Sequence, residues 1–203
     1  DATPSAIYLK DYRPPAYRIE QTGLHFDLHE DYAQVNSRLH IRRSEDCAPS
    51  APLRLHGEGL ELLALSLDGQ PLPADRYTVT EAGLEIVELP PAFLLECSTR
   101  ILPQDNTSLE GLYKSHAMFC TQCEAHGFRK ITYYADRPDV MSVFTVTVDA
   151  DKQRYPVLLS NGNLTATEDL PGGRHRAHWH DPFPKPAYLF ALVAGDLRFI
   201  EDS

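Results

Sequence analysis

Histidine and cysteine side chains, the usual ligands of zinc, gather in one short segment of the sequence. His116, Cys120, Cys123 and His126 lie within eleven residues. Structural zinc sites usually separate their two ligand pairs by a longer loop, so four ligands this close would strain to meet at one ion. A redox role for the two cysteines would need a βαβ context, which the flanking sequence lacks. We expect thiols without a chemical role here, with a small zinc site as the alternative.

Two further histidine patterns resemble metal sites less closely. On a strand, His178 and His180 share one face while His175 lies on the other, so at most two of the three can chelate one ion. The segment that starts at His29 begins like the zinc motif His-Glu-x-x-His, but Ala33 replaces the second histidine. That motif also needs a helix, whereas this segment is typical of a strand end and turn. We therefore predict no metal ligands in this chain.

Gln122 and Glu124 have a different chemical potential. They are two residues apart, so in an extended segment their side chains project the same way. A carboxylate and an amide oxygen are both hydrogen bond acceptors, and an ammonium group offers three donors. The pair is therefore suited to holding an ammonium group. From these residues alone, however, a solvated or capping glutamate is the favoured interpretation, and an ammonium site is the alternative.

The elements that position these residues are predicted to be short β-strands. Apolar residues alternate with polar ones along much of the chain, and no stretch of ten or more residues has a convincing helical period. Asp68 and Gly69 predict a hairpin turn. Segments 102–135 and 181–186 do not alternate, and we expect irregular structure in the first and a proline-rigidified loop in the second. We predict one strand over residues 188–194. The sequence indicates one all-β domain of packed, mostly antiparallel sheets.

Charge and composition limit the classes of partner. The formal net charge of −10 would repel a polyanion, so nucleic acid is a poor partner. The longest apolar run is strand-sized, so we expect no membrane span and no membrane partner. A chain of 203 residues with 42% hydrophobic residues does not need disulfides to form a core. We interpret the four cysteines as reduced thiols of a cytoplasmic protein.

The segment from Thr121 to Asp139 resembles the aminopeptidase N family of zinc exopeptidases. The family pattern is Thr-Gln, an acidic or amide residue, an arginine, and an aromatic stretch that ends in Asp-x-Pro. Its matches in this sequence are Thr121, Gln122, Glu124, Arg129, Tyr133, Tyr134, Asp136 and Pro138. Segments 109–113, 159–163 and 181–196 also resemble the family in order, and segment 8–15 is similar to its bacterial branch. The resemblance therefore spans nearly the whole chain.

The resemblance implies that residues 1–203 are a single saddle-like N-terminal β-domain that packs on a thermolysin-like catalytic domain. It implies that Gln122 and Glu124 bind the free α-amino group of a peptide substrate. Zinc, its His-Glu-x-x-His helix and the other catalytic groups are expected beyond Ser203, so we predict no catalytic residues and no peptidase activity in this chain alone. The parent would be a zinc metalloaminopeptidase of the membrane alanyl aminopeptidase type. A stand-alone, non-catalytic β-sandwich for protein contacts is the alternative.

Overall fold

The computed structural model describes residues 8–200, and its regular structure consists of β-strands joined by short 3₁₀ turns. The first eight strands are β1 (Tyr17–Leu28), β2 (Ala33–Arg43), β3 (Leu53–His56), β4 (Glu61–Leu67), β5 (Gln70–Pro71), β6 (Tyr77–Thr80), β7 (Gly83–Ile86) and β8 (Ala92–Ile101). The other seven are β9 (Gly111–Ser115), β10 (Met118–Gln122), β11 (Met141–Asp151), β12 (Val157–Ser160), β13 (Asn163–Leu170), β14 (Arg174–Pro186) and β15 (Leu192–Gly195). The 3₁₀ turns are Leu9–Asp11, Ala74–Arg76, Gly127–Lys130, Pro171–Gly173 and Ala187–Leu189. A search of these same residues finds no helix long and apolar enough to cross a membrane.

The strands form three sheets. The largest has eight strands in the order β13-β14-β11-β1-β2-β8-β4-β5, the second has the order β12-β15-β10-β9, and the third has the order β3-β7-β6. Strands β1 and β11 are parallel, and the other paired strands are antiparallel. The prediction of an all-β fold with mostly antiparallel sheets is therefore confirmed.

The core lies on the inner face of the eight-stranded sheet, as the period of two in β1 predicts. Leu24, Phe26 and Leu28 are buried, whereas His25 and Asp27 alternate with them on the outer face. The aromatic side chains of this core come from four separate parts of the chain and pack at ring centroid distances of 4.8 to 6.3 Å. They are Phe26, Phe128, Tyr134, Phe144 and Phe190.

The outer face of the eight-stranded sheet is polar, and many of its charges are paired. Asp149 accepts hydrogen bonds from Arg176 at 2.5 and 2.6 Å and contacts Nε2 of His25 at 2.9 Å. These partners hold the pKa of Asp149 below its ordinary value, although burial of the carboxylate opposes them. Arg176 also contacts Glu168 on β13 at 3.2 Å. These four ionisable groups therefore satisfy one another.

Two expectations about local structure were wrong. Residues 181–186 continue β14 instead of forming a loop. The ladder between β13 and β14 stops at Asn163 opposite His180, so the following residues of β14 have no partner on that edge. Proline is tolerated there, because its missing N–H lies on an unpaired edge. Residues 188–194 were predicted to be one strand, but the first of them belong to a 3₁₀ turn and β15 begins only at Leu192.

The hairpin prediction at Asp68 and Gly69 is confirmed. Both residues have positive φ angles, 50° and 77°, and they join β4 to β5. Segment 102–135, expected to be irregular, contains the β9–β10 hairpin and the 3₁₀ turn Gly127–Lys130. Gln122 is the last residue of this hairpin, and Glu124 follows two residues later.

Candidate functional site

The β9–β10 hairpin carries Gln122 to an exposed position. Strand β10 pairs with β9 from Met118 opposite Ser115 to Gln122 opposite Gly111, so Gln122 is the last residue of the ladder. Its side chain is exposed, and its Nε2 donates a hydrogen bond to the backbone oxygen of Glu124 at 3.2 Å. Because the amide nitrogen is engaged, the amide oxygen is the remaining acceptor.

The turn that follows Gln122 is anchored to the interior of the domain by Cys123 and Gly127. Cys123 is buried, and burial raises the pKa of its thiol well above the usual range. The Gly127 N–H donates to the backbone oxygen of Cys123 at 2.9 Å. A Cβ at Gly127 would lie 2.3 Å from the backbone oxygen of Gln122 and 2.8 Å from the nitrogen of Gly111, so only glycine allows this close approach.

Glu124 lies on the exposed side of the same turn. Its peptide bond to Ala125 is cis. Among residues 8–200, no side chain forms an ion pair or hydrogen bond with its carboxylate, although other acidic residues nearby, such as Glu110 with Lys130 at 2.6 Å, are paired. Two acceptor groups, the Glu124 carboxylate and the Gln122 amide oxygen, are therefore free to bind a cationic ligand.

The 3₁₀ turn Gly127–Lys130 fixes this exposed turn to the core. Phe128 is fully buried, and its ring packs edge to face against Tyr134 and Phe190, with ring centroid distances of 4.8 Å and 5.4 Å. Burying one such side chain contributes about 1.5–3 kcal/mol. The apolar anchor is only four residues from Glu124, so the turn has little freedom to shift relative to the core.

Arg129 and Asp136 form the polar part of this anchor. Asp136 is 3% exposed, and its Oδ2 accepts hydrogen bonds from Nε of Arg129 at 3.0 Å and from the Arg129 backbone N–H at 3.2 Å. Arg129 also donates to the backbone oxygen of Asp136 at 3.2 Å. Three hydrogen bonds between the same two residues close the segment into a rigid loop.

His56 connects this loop to the three-stranded sheet. Its Nδ1 accepts a hydrogen bond from the Asp136 N–H at 3.2 Å, and its backbone exchanges two hydrogen bonds with Tyr134. Burial lowers the pKa of His56, and the neighbouring positive charge of Arg129 lowers it further. A neutral imidazole fits this arrangement, because a protonated Nδ1 cannot accept the hydrogen bond.

Tyr134 completes the framework from within the core. Its hydroxyl bonds to Thr22 at 3.1 Å, and Thr22 bonds in turn to Ser142 at 2.8 Å. Burial raises the pKa of Tyr134 to about 12. Among the motif residues described so far, only Gln122 and Glu124 offer polar groups to a ligand, and the others hold the turn in place.

Comparison with known proteins identifies the family of this domain. The sequence profile of the Peptidase M1 N-terminal domain matches residues 91–189, which include the whole segment from Thr121 to Asp139. The chain belongs to the M1 peptidase N-terminal domain family. The resemblance to this family that the sequence motifs indicated is therefore confirmed.

Relatives of this M1 domain are much longer than the chain itself. It is 52% identical over 200 residues to aminopeptidase N of Caulobacter vibrioides, which covers 98% of this chain and 23% of the relative. It is 48% identical to aminopeptidase N of Escherichia coli, covering 98% of this chain and 22% of the relative. The chain thus spans less than a quarter of the length of these curated relatives.

Solved structures agree with the sequence matches. Legionella pneumophila aminopeptidase A, solved in complex with aspartic acid, superposes on the M1 domain with a TM-score of 0.88 and 34% identity, covering 94% of this chain and 22% of the other. An M1 zinc metallopeptidase from Deinococcus radiodurans superposes with a TM-score of 0.74 over 89% of this chain and 42% of the other. At 20% identity, that second likeness shows the fold alone.

The structure does not bring the sequence-predicted metal candidates together. Across residues 8–200, no three His, Cys, Asp or Glu side chains are placed to hold one ion. In the alternative site, Cys123 is buried, while His116 lies in the turn between β9 and β10 with a φ of 55°. All four cysteines are free.

The two other histidine patterns have structural partners in the M1 domain. His178 bonds to Thr147 at 3.0 Å, and His175 bonds to the backbone oxygen of Tyr155 at 2.7 Å. His29 contacts Asp27 at 3.0 Å and stacks on Tyr32 in the predicted turn between β1 and β2.

Sequence reasoning missed a cluster that ties the β9–β10 hairpin to the rest of the M1 domain. Glu30 contacts Lys114 at 2.9 Å, Arg154 at 2.7 Å and the Tyr155 hydroxyl at 2.8 Å. These partners lower the pKa of Glu30 to about 2, with the hydrogen bond from Lys114 as the main cause. The partners are more than 80 residues from Glu30 in sequence, so no local pattern could have revealed them.

Proposed function

We propose that this chain is the substrate-anchoring N-terminal domain of a zinc-dependent aminopeptidase, which removes N-terminal amino acids from peptides. The observation that carries the proposal is the exposed pair Gln122 and Glu124, whose acceptor groups lack partners within residues 8–200 although the turn beneath them is fixed to the core. Membership of the M1 family and the greater length of the relatives support it.

The chemistry of an exopeptidase explains why such a pair is useful. The enzyme must recognise a positively charged N-terminus and reject internal peptide bonds, whose neutral nitrogen has no charge to offer. A hydrogen bond to a charged group contributes about 1.5–3 kcal/mol, which corresponds to roughly 10- to 150-fold discrimination from one contact. In this role Glu124 is the ionic acceptor for the α-ammonium, and Gln122 assists through its amide oxygen.

Ligands bound to the structural relatives are consistent with this role. Aspartic acid is bound in the Legionella enzyme, and L-arginine, L-tryptophan and a Tyr-Ser-Ala substrate are bound in M1 zinc metallopeptidases with the same fold. These ligands differ in their side chains but share a free α-amino group. An acceptor pair that recognises this common group suits all of them.

An apolar sheet face supports docking of the catalytic domain close to this pair. The residues on the outer face of the four-stranded sheet are partly exposed and mostly apolar, in contrast to the paired charges on the eight-stranded sheet. They are Tyr113, Met118, Cys120, Val157, Leu159 and Val193. Gln122 lies at the end of β10 on this sheet, so a domain that covers the face would enclose Gln122 and strengthen its contacts by excluding water.

In this proposal, zinc and the catalytic groups belong to the catalytic domain. Zinc bound there polarises the substrate carbonyl and activates water. The present chain contributes binding of the amino terminus and is inactive alone. We further propose a cytoplasmic location, which is consistent with four free cysteines.

The test is Glu124→Gln in the complete, zinc-loaded gene product. This change removes the charge but keeps the shape, so KM for peptide substrates should rise about 10- to 150-fold while kcat changes little. Zinc content should be unchanged. Asp75→Asn, which neutralises an exposed carboxylate in the 3₁₀ turn Ala74–Arg76, is the matched control and should leave KM unaltered. A Glu124→Gln enzyme with wild-type KM would refute the assigned role.

A further inference from the structure

Thr121 occupies the point where β10 separates from β15. The backbone ladder between these strands contains Phe119 opposite Ala194 and Cys120 opposite Val193, and it ends there. At the next position, Oγ1 of Thr121 accepts a hydrogen bond from the N–H of Leu192 at 2.8 Å and lies 3.3 Å from the Leu192 oxygen, to which it donates. One hydroxyl therefore pairs with both backbone groups of Leu192.

The contact with Leu192 affects the path of strand β10. Leu192 is fully buried, so its backbone groups need partners within the protein. If the backbone of β10 supplied them, the strand would have to follow β15 for another residue. Because the Thr121 side chain supplies them instead, the backbone is free to turn away immediately before Gln122.

On the side away from β15, Thr121 is held by its pairing with β9. Thr121 pairs with Leu112 in β9, and Gln122 pairs with Gly111. Behind Gln122, Gly127 approaches the Gln122 carbonyl too closely to allow any side chain at that position. Thr121 on one side and Gly127 on the other therefore define where the exposed turn begins.

We propose that Thr121 is a positioning residue for the amine-binding pair Gln122 and Glu124. This inference rests on the proposed function, because it assigns Thr121 an effect on substrate only through those two side chains. A binding site must hold its groups within about 0.5 Å of the productive geometry, and a change in the point where β10 leaves β15 would displace the whole turn.

The test compares Thr121→Val with Thr121→Ser in the complete, zinc-loaded gene product. Valine keeps the branched shape but removes both hydrogen bonds, whereas serine keeps the hydroxyl. Thr121→Val should raise KM for peptide substrates about 2- to 10-fold, comparable to the loss of one neutral hydrogen bond, with kcat and zinc content unchanged. Thr121→Ser should restore a near wild-type KM, and hydrogen exchange at the Leu192 amide should accelerate only in the valine variant.

A double-mutant cycle separates positioning from general stability. In the Glu124→Gln, Gln122→Ala background, Thr121→Val should have no further effect on KM, because the groups that it positions are gone. The matched control is Thr165→Val. Thr165 lies on the exposed strand β13, and its hydroxyl donates a hydrogen bond to the backbone oxygen of His178 on β14. Loss of this hydroxyl should leave KM unchanged. If Thr121→Val does not fold, Thr121→Cys, with its weak hydrogen bonding, replaces it in the same cycle.

The outcomes distinguish the two proposals. A normal KM for Thr121→Val, or a KM increase of the same size in both backgrounds, would overturn the positioning role while leaving the proposed function intact, provided that Glu124→Gln alone raises KM. A normal KM for Glu124→Gln would overturn the proposed function first, and the positioning role with it.

Discussion

Residues 122–126 and residues 128–136 are neighbours in sequence and belong to one family motif, but their surroundings are opposite. The first group forms an exposed turn in which the Glu124 carboxylate lacks an intramolecular partner within the described residues. In the second group, Phe128, Tyr134 and Asp136 are buried, and the polar groups among them are paired. The difference suggests that stability and ligand binding are assigned to different residues of one short segment, which gives substitutions in the two groups separable effects.

The largest effect should come from the apolar anchor. Phe128→Ala removes a fully buried ring at the centre of the aromatic cluster and should reduce the free energy of unfolding by about 3–5 kcal/mol. Urea denaturation of the two proteins measures the difference. Phe183→Ala is the control, because that ring is 75% exposed and its loss should cost less than about 0.5 kcal/mol. Equal losses for the two variants would contradict the anchoring role of Phe128.

Removal of the buried carboxylate should have the next largest effect. Asp136→Ala leaves the Arg129 guanidinium, which is 17% exposed, without its main partner, and it should cost about 2–4 kcal/mol. Glu58, 3.8 Å from Arg129, compensates only in part. Asp169→Ala, which breaks the exposed pair with Lys152, should have a much smaller effect in the same denaturation series, because solvent screens an exposed pair. A loss at Asp136 no larger than at Asp169 would show that the loop does not depend on this pair.

A smaller, pH-dependent effect should come from His56. Its pKa in the folded protein is lower than the ordinary value of 6.5, so at mildly acidic pH the unfolded chain binds a proton that the folded chain does not. The stability associated with His56 is therefore complete above about pH 6.5 and declines as the pH falls below it. Arg129, Asp136 and His126 are the charged or titratable neighbours of His56.

His56→Asn tests this effect, since the asparagine oxygen can accept the hydrogen bond from the Asp136 N–H but does not titrate. The variant should lose stability less steeply than the wild type between about pH 7 and pH 5.5, as measured by thermal denaturation. His40→Asn, at an exposed position of β2, should retain the wild-type slope. If the slope is the same in all three proteins, another group is responsible for it.

The smallest effect on stability should come from the exposed turn. Glu124→Gln should change the free energy of unfolding by less than about 0.5 kcal/mol, because the carboxylate has no hydrogen bond or ion pair within the described part of the chain. The same variant is expected to produce the large change in KM described above. A destabilisation similar to that of Asp136→Ala would mean that Glu124 belongs to the framework instead.

Local patterns in the sequence predicted the fold class well. Alternation in β1 and β2 revealed which side chains are buried, and the Asp-Gly pair revealed the β4–β5 hairpin, because both depend on neighbouring residues only. Strands β3, β9, β10 and β13 were missed. Strand β13 is exposed along almost its whole length, so it lacks the apolar alternation that marks a half-buried strand.

The functional candidates depended on a different kind of information. Gln122 and Glu124 were identified through the family motif, and their residue types alone did not distinguish an amine-binding pair from a solvated surface. The structure adds that the turn carrying them is anchored by Phe128, Cys123 and Gly127. It also adds Thr121, whose contact with Leu192 spans 71 residues of sequence.

The sequence by itself therefore determined the all-β class, the buried face of the best alternating strands and the family of the chain, because these are recorded in residue types and their spacing. Only the tertiary structure decided which motif residues support the fold and which remain free for a ligand. Burial and pairing are properties of the assembled sheets: Asp136 and Glu124 are both acidic, but one is enclosed with Arg129 and His56 and the other is exposed to solvent. Contacts between distant segments make that distinction, and no local pattern encodes it.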